Sequence, residues 1–247
     1  MHLTVDMGNT NIKLAFYEND ERIAYTRFDT RESDYEEVLK RFFVSRKVDK
    51  VDDIIVSCVT PSIKEMFFSC LSEYCDNEII EVNYLYDLGI KINTPTPEKV
   101  GNDLLVMSSY AYHLYQKACL CLSFGTATVF CYTDKDGNYS YAAIAPGFQA
   151  AANSLWEKAD QLPRINLAKK DNILANTTLD AMNVGIVDGY IGLCSHIIDE
   201  FKKELGEDMA VIATGGQGKI IVPYLNVDKY ETDFVSSGLN YLYTRCK

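Results

Sequence analysis

Apolar and polar residues alternate in three short runs at the start of the chain: LTVDMG (3–8), NIKLAFYE (11–18) and ERIAYTRF (21–28). A period of two predicts β-strands. The breaks between the runs, Gly8-Asn9 and Asn19-Asp20, carry turn residues. A polar helix is expected from about Ser33, with Glu36 three residues on as the partner in a capping box. The apolar run DDIIVSCV (52–59) reads as a buried strand, and Pro61 opens a helix through PSIKEMFFSCLSEYC. NEIIEVNY (77–84) is expected as a strand and VGNDLLVMSSYAYHLYQ (100–116) as a helix.

The pattern then restarts. ACLCLSF (118–124), TATVFCYTD (126–134) and NYSYAAIA (138–145) read as strands, with Asp136-Gly137 as a hairpin signal. Helices are expected over 148–160 and 179–205, a strand at MAVIAT (209–214) ending in Gly215-Gly216, and a last helix over 235–246. Laid so that Gly8 falls on Gly125, VDMGNTN (5–11) meets LSFGTAT (122–128), Asn9 meets Thr126 and Asn11 meets Thr128. Both copies continue as strand, Asp/Asn/Gly turn, strand. We read this as an internal duplication, with domains at 1–116 and 117–247 and no flexible linker.

A formal net charge of -11 sets the chain against nucleic acid backbones and anionic membrane surfaces. Any phosphate site must therefore be local, built from backbone N–H groups, a metal ion or a few cations. Of the eight cysteines, most sit in apolar runs, no C-x-x-C pair occurs, and the three histidines are scattered. Zinc-site spacing is absent, and the cysteines read as small hydrophobes. No basic, apolar leader is expected, and no apolar run is expected to approach the ~20 residues of a membrane span. The expected location is the cytoplasm, with neither a membrane nor a nucleic acid as partner.

Three segments carry candidate chemistry. In the first, Asp6 ends a strand before the turn Gly8-Asn9-Thr10-Asn11, and Lys13 follows on the returning strand. Gly8 allows close approach of a ligand, and the turn's N–H groups can cradle phosphate oxygens. Asp6 can hold Mg²⁺ directly or through water, and Lys13 can reach a phosphate as a mobile charge. An ordinary hairpin with an exposed Asp would read the same way. The second segment, Ser123 to Thr128, repeats the device: Gly125 makes the turn, Ala127 follows, and Thr126 and Thr128 add hydroxyls. Two such turns in register are expected to clamp the phosphate tail of a nucleotide between the halves. The third, Gly215-Gly216 after a strand, suits the adenosine end, although such pairs also cap many strands.

In this order, on a duplicated frame, the segments resemble the sugar kinase, heat-shock protein 70 and actin superfamily. The chain is most similar to the type III pantothenate kinases, through VDMGNTN, PEKVGNDLL, FGTAT, AIAPG (143–147), LPRI (162–165), NTTLDAMNVGI (176–186), GYIGL (189–193) and ATGG. The resemblance implies an α/β fold of the duplicated actin-like (ribonuclease H-like) type, two mixed-sheet halves with a cleft between them. It implies ATP-dependent phosphorylation of pantothenate, the first step toward coenzyme A. Asp103, in the segment Gly101-Asn102-Asp103, would accept the hydroxyl proton, with Gly101, Asn102 and Leu104 beside the substrate. As a bare residue, Asp103 also reads as charge at a helix N-terminus. The family further implies a homodimer in which Thr177 lines the partner's substrate pocket. The stretch 183–201, apolar at helical spacing around Gly185, Gly189 and Gly192, would mediate it, or would simply pack on its own sheet.

Three positions depart from the family pattern. Leu104 stands where Arg is usual, Thr94 where Tyr is usual, and Ser123 where an Asp is linked to a monovalent cation, K⁺ or NH₄⁺. A charge-assisted hydrogen bond is worth about 1.5–3 kcal/mol, so loss of the Arg alone lowers binding about 10- to 100-fold. The expectation is an intact nucleotide half and a remodelled acceptor half, acting on pantothenate or a similar small alcohol. The rival expectation is a catalytically weak, nucleotide-binding paralogue with a regulatory or interaction role.

Overall fold

In the computed structural model, which describes residues 1–32, 34–159, 161–206 and 208–245, the expected elements appear close to their expected bounds. Strands β1 (His2–Met7), β2 (Asn11–Glu18) and β3 (Glu21–Asp29) lead into α1 (Tyr35–Ser45), β4 (Asp53–Cys58), α2 (Pro61–Ser72), β5 (Ile80–Val82), β6 (Lys91–Ile92) and α3 (Asn102–Tyr115). Then come β7 (Cys119–Phe124), β8 (Ala127–Thr133), β9 (Asn138–Pro146), α4 (Phe148–Lys158), α5 (Thr178–Asn183), α6 (Gly189–Leu205), β10 (Ala210–Thr214), β11 (Lys229–Tyr230) and α7 (Phe234–Arg245). The expected Ser33 cap lies outside the described residues; Asp34 caps α1, its carboxylate accepting from the Glu37 N–H.

Two compact units divide the chain: Met1–Tyr110 together with the chain from Phe234 onward, and Ala111–Asp233. In the first, the strand order is β3-β2-β1-β4-β5, with β1 antiparallel to β2 and parallel to β4. Asn19 and Asp20 both take positive φ, as a two-residue hairpin requires. Leu3, Val5 and Met7 of β1 pack with Phe16, Phe43 and Phe67 in one buried core. The opposite sheet face carries Thr4, whose hydroxyl meets that of Ser236 on α7 at 2.9 Å, and Asp53, which accepts from Tyr243 at 2.6 Å. The last helix thus belongs with the first unit, whereas the sequence reading placed it in the second half. A duplicated pattern assigns strands to halves, but an apolar helix goes to whichever sheet face it covers.

Within the second unit the strands lie in the order β11-β10-β7-β8-β9, which repeats the first unit's order in mirror listing. Strand β7 is antiparallel to β8 and parallel to β10, as β1 is to β2 and β4. Even the register shift recurs, between Phe16 and Tyr17 in one unit and between Tyr132 and Thr133 in the other. From Thr178 to Leu205 the chain is one helix of 28 residues, carried through a π-helical turn at Val184–Asp188. By length and composition this helix could cross a membrane, which corrects the expectation that no run is long enough. Its Met182, Ile186, Tyr190, Cys194 and Ile198 lie in the second unit's core.

Candidate active site

In the first unit, Asp6 sits one residue from the end of β1, with its side chain 7% exposed. The Nζ of Lys13, its antiparallel partner, donates to Asp6 Oδ2 at 3.0 Å. The turn between them closes with Gly8 N–H on Asn11 O at 3.1 Å and leaves Asn9 and Thr10 exposed. Thr30 holds it from β3's end: its hydroxyl donates to Gly8 O at 2.7 Å, and its N–H to Thr10 O at 2.9 Å. A Cβ on Gly8 would press to 3.0 Å from Asn11 O, so the tight turn itself favours glycine.

Asp103 occupies the first turn of α3. Asn102 ties that turn to β4 by donating to Cys58 O at 2.9 Å. Gly101 accepts from the Leu104 and Leu105 N–H groups, and a Cβ there would lie 2.7 Å from Asp103 Oδ1. The glycine is what lets the carboxylate lie against its own backbone. Burial, and then the negative charge of Asp6, push the Asp103 carboxyl up to about 6, while the Leu104 N–H and Lys13 pull it partly back. A carboxylate tuned toward neutral pH beside a second carboxylate and a lysine, at the C-terminal ends of parallel strands, is a general-base arrangement. Helix-end charge alone explains neither the raised value nor its cause.

The second unit builds a different local geometry around its turn. Gly125 N–H bonds Ala127 O at 3.0 Å, and a Cβ on Gly125 would meet only that oxygen, at 3.6 Å. Thr126 is exposed. Thr128 differs from expectation: it is wholly buried, and its hydroxyl lies 2.5 Å from that of Tyr190 in a hydrogen bond. Tyr190 donates to Pro146 O at 2.7 Å, so Thr128 braces the hairpin instead of presenting a phosphate ligand. Gly147, whose N–H bonds Thr126 O, has no room for a Cβ against Gly125 O and Thr126 O. Gly215, at φ +96, would likewise drive a Cβ into Phe124 O. Tyr230 holds Gly215 O at 2.8 Å, and Gly216 is exposed at the start of a short 3₁₀ turn. The glycines at 125, 147 and 215 therefore gather as bare backbone around the end of β7. The role of Gly147 was legible only as part of AIAPG, and Tyr190 only as part of GYIGL; nothing in the sequence marked Thr30.

The sequence profile of the family described as Type III pantothenate kinase matches residues 2–200. A type III pantothenate kinase of Agathobacter rectalis is 36% identical over 253 residues, covering 99% of this chain and 97% of that protein. The chain belongs to the type III pantothenate kinase family. A second member, from Bifidobacterium longum subsp. infantis, is 32% identical over 252 residues and covers 99% of each chain. Among solved structures, MreB 5 of Spiroplasma citri bound to AMPPNP aligns with a TM-score of 0.57 at 12% identity, over 99% of this chain and 96% of that one. The fold is thus the mixed α/β, actin-like ATPase type, and the chain is a phosphotransferase.

Against the family pattern, Leu104 is half-buried, its N–H bonding Asp103 Oδ1 at 2.9 Å, and it puts an apolar side chain where Arg is usual. The Thr94 hydroxyl is buried and has no hydrogen-bond partner among the described residues. Thr177 is exposed and caps α5, its hydroxyl accepting from the Asp180 N–H at 3.2 Å and donating to Asp180 Oδ2 at 2.9 Å. Ser123, half-buried at the penultimate position of β7, contributes one neutral oxygen and does not by residue type make a tight cation site. Mg²⁺ fits better. It takes one or two carboxylates and completes its shell with water and substrate phosphates. Asp6 supplies such a carboxylate, and among the described residues no three His, Cys, Asp or Glu gather into a cage.

Proposed function

We propose that this chain transfers the γ-phosphoryl group of ATP to the primary hydroxyl of pantothenate, giving 4'-phosphopantothenate and ADP. The observation that carries the reading is Asp103, raised to about 6 by burial and by Asp6 and set at the tip of α3. Asp103 takes the hydroxyl proton as the oxygen attacks the γ-phosphorus, and the bond to the β-phosphate oxygen breaks. Backbone N–H groups of the Gly8 and Gly125 turns bind phosphate oxygens, and Gly215-Gly216 offers bare backbone to the adenosine. Asp6 would hold Mg²⁺, which supplies charge neutralisation on the phosphates. Lys13, bound to Asp6 at 3.0 Å, is within reach to turn its charge to the phosphate tail.

Leu104 and Thr94 favour a second reading for the acceptor, a small alcohol that lacks the carboxylate an Arg would pair. ATP turnover of the purified protein against pantothenate, its decarboxylated analogue and other small alcohols tests both. Turnover on pantothenate above all others is expected; turnover only on the uncharged analogue would favour the second reading, and none on any alcohol would overturn the kinase. The reading also includes a homodimer. In its support, Cβ atoms at Gly185, Gly189 and Gly192 would meet nothing within 4 Å, so that side of the long helix is open to close approach. Sedimentation showing only monomer at micromolar concentration would remove Thr177 from the site.

A further inference from the structure

Ser57 lies one residue from the end of β4 and is 0% exposed. Its Cα is paired with that of Asp6 in the parallel register, and Asp6 is paired with Lys13. Residues paired across a sheet project from the same face, so the Ser57 hydroxyl shares a face with the Asp6 carboxylate. Adjacent strands run about 4.8 Å apart, within the span of one bridging water. The next residue, Cys58, binds Asn102 through its carbonyl, which brings the tip of α3 and Asp103 to the same strand ends.

Among the described residues the Ser57 hydroxyl has no hydrogen-bond partner. Its neighbours along and across the sheet, Ile55 and Val82, are fully buried and apolar. Alanine would fill such a place without desolvating a hydroxyl, and buried hydroxyls in folded proteins nearly always have a partner. Asp6 is the nearest group by register that gives this hydroxyl something to do.

We infer that Ser57 is a positioning residue of the transfer site. Its hydroxyl donates to a water that also bonds Asp6, and this orients the Asp6 carboxylate toward the divalent cation that arrives with the nucleotide. The inference rests on the phosphotransferase reading above. Outer partners of this kind set metal affinity, and their removal typically weakens it about 10- to 100-fold.

The test uses Mn²⁺ as the probe. Wild type, Ser57→Ala and Ser57→Cys are titrated with Mn²⁺ in saturating ADP, free Mn²⁺ being read by electron paramagnetic resonance. Metal-free ADP binding is measured by calorimetry. Ser57→Ala is expected to weaken Mn²⁺ about tenfold, and Ser57→Cys, with its weak S–H donor, to fall between. Metal-free ADP affinity is expected to stay unchanged in all three, which a merely structural distortion would not allow. Equal Mn²⁺ affinity in the three proteins overturns the role of Ser57 and leaves the kinase reading standing. Parallel loss of metal-free ADP binding overturns it as well. A wild type that binds neither ADP nor Mn²⁺ with ADP overturns the kinase reading and this inference together.

Discussion

Replacing Asp103 with Asn keeps the shape of the side chain and its bond from the Leu104 N–H while removing the ionisable group. The carboxyl is raised from 3.8 to about 6 in the folded protein, burial being the larger cause and Asp6 the next. A shift of about two units corresponds to about 3 kcal/mol at about 1.4 kcal/mol per unit. The carboxylate keeps a partly open edge, so screening reduces this to about 1–3 kcal/mol. The folded value is raised, so the stability that Asp103 contributes is fully present below pH 3.8 and is lost as pH rises through about 6. Asn contributes no such slope. The stability difference between variant and wild type is therefore expected to grow in favour of the variant between pH 4.5 and 7, and then to level off. Chemical denaturation of both proteins without nucleotide, followed by circular dichroism across that range, reads it. Turnover of the variant should fall about 10²- to 10⁴-fold with ATP affinity nearly unchanged. A pH-independent stability difference would refute the raised value, and surviving turnover would reduce Asp103 to a helix-end charge.

Gly125→Val should fold, because an added Cβ meets only Ala127 O at 3.6 Å, and should lose ATP binding in calorimetry; unchanged affinity would count against this turn as a phosphate site. Gly147→Ala should behave in the opposite sense, since its Cβ collides with the carbonyls of Gly125 and Thr126 and must displace backbone. A stability loss of about 2–4 kcal/mol is expected from denaturation, and an unperturbed melting curve would refute the close packing. Ser123→Asp should show saturable K⁺ activation of turnover at lower K⁺ than wild type, because it would place negative charge where the family pattern has an Asp linked to a monovalent cation. Identical, tight K⁺ activation of both proteins would show that position 123 does not govern the cation.

The alternation in β2 placed that strand at its observed bounds, 11–18, because side-chain period and backbone pleat are the same physical fact. The repeated Gly turns pointed to a recurring strand–turn–strand layout, and the motifs from VDMGNTN to ATGG identified the family. Asp103 was marked only through the resemblance, which implies a base in Gly101-Asn102-Asp103; as a bare residue it read as charge at a helix N-terminus. What sequence could not assign was anything set by groups distant along the chain. The last helix followed the duplication in sequence but covers the first unit's sheet, where Ser236 and Tyr243 find Thr4 and Asp53. Thr128 looked like a phosphate ligand until Tyr190, 62 residues on, occupied its hydroxyl. The raised carboxyl of Asp103 depends first on burial and then on the charge of Asp6, and both arise only when α3 docks on the end of β4. Local pattern determines which backbone each segment adopts; burial, charge and hydrogen-bond availability depend on what the fold brings alongside, and only the tertiary structure decides that.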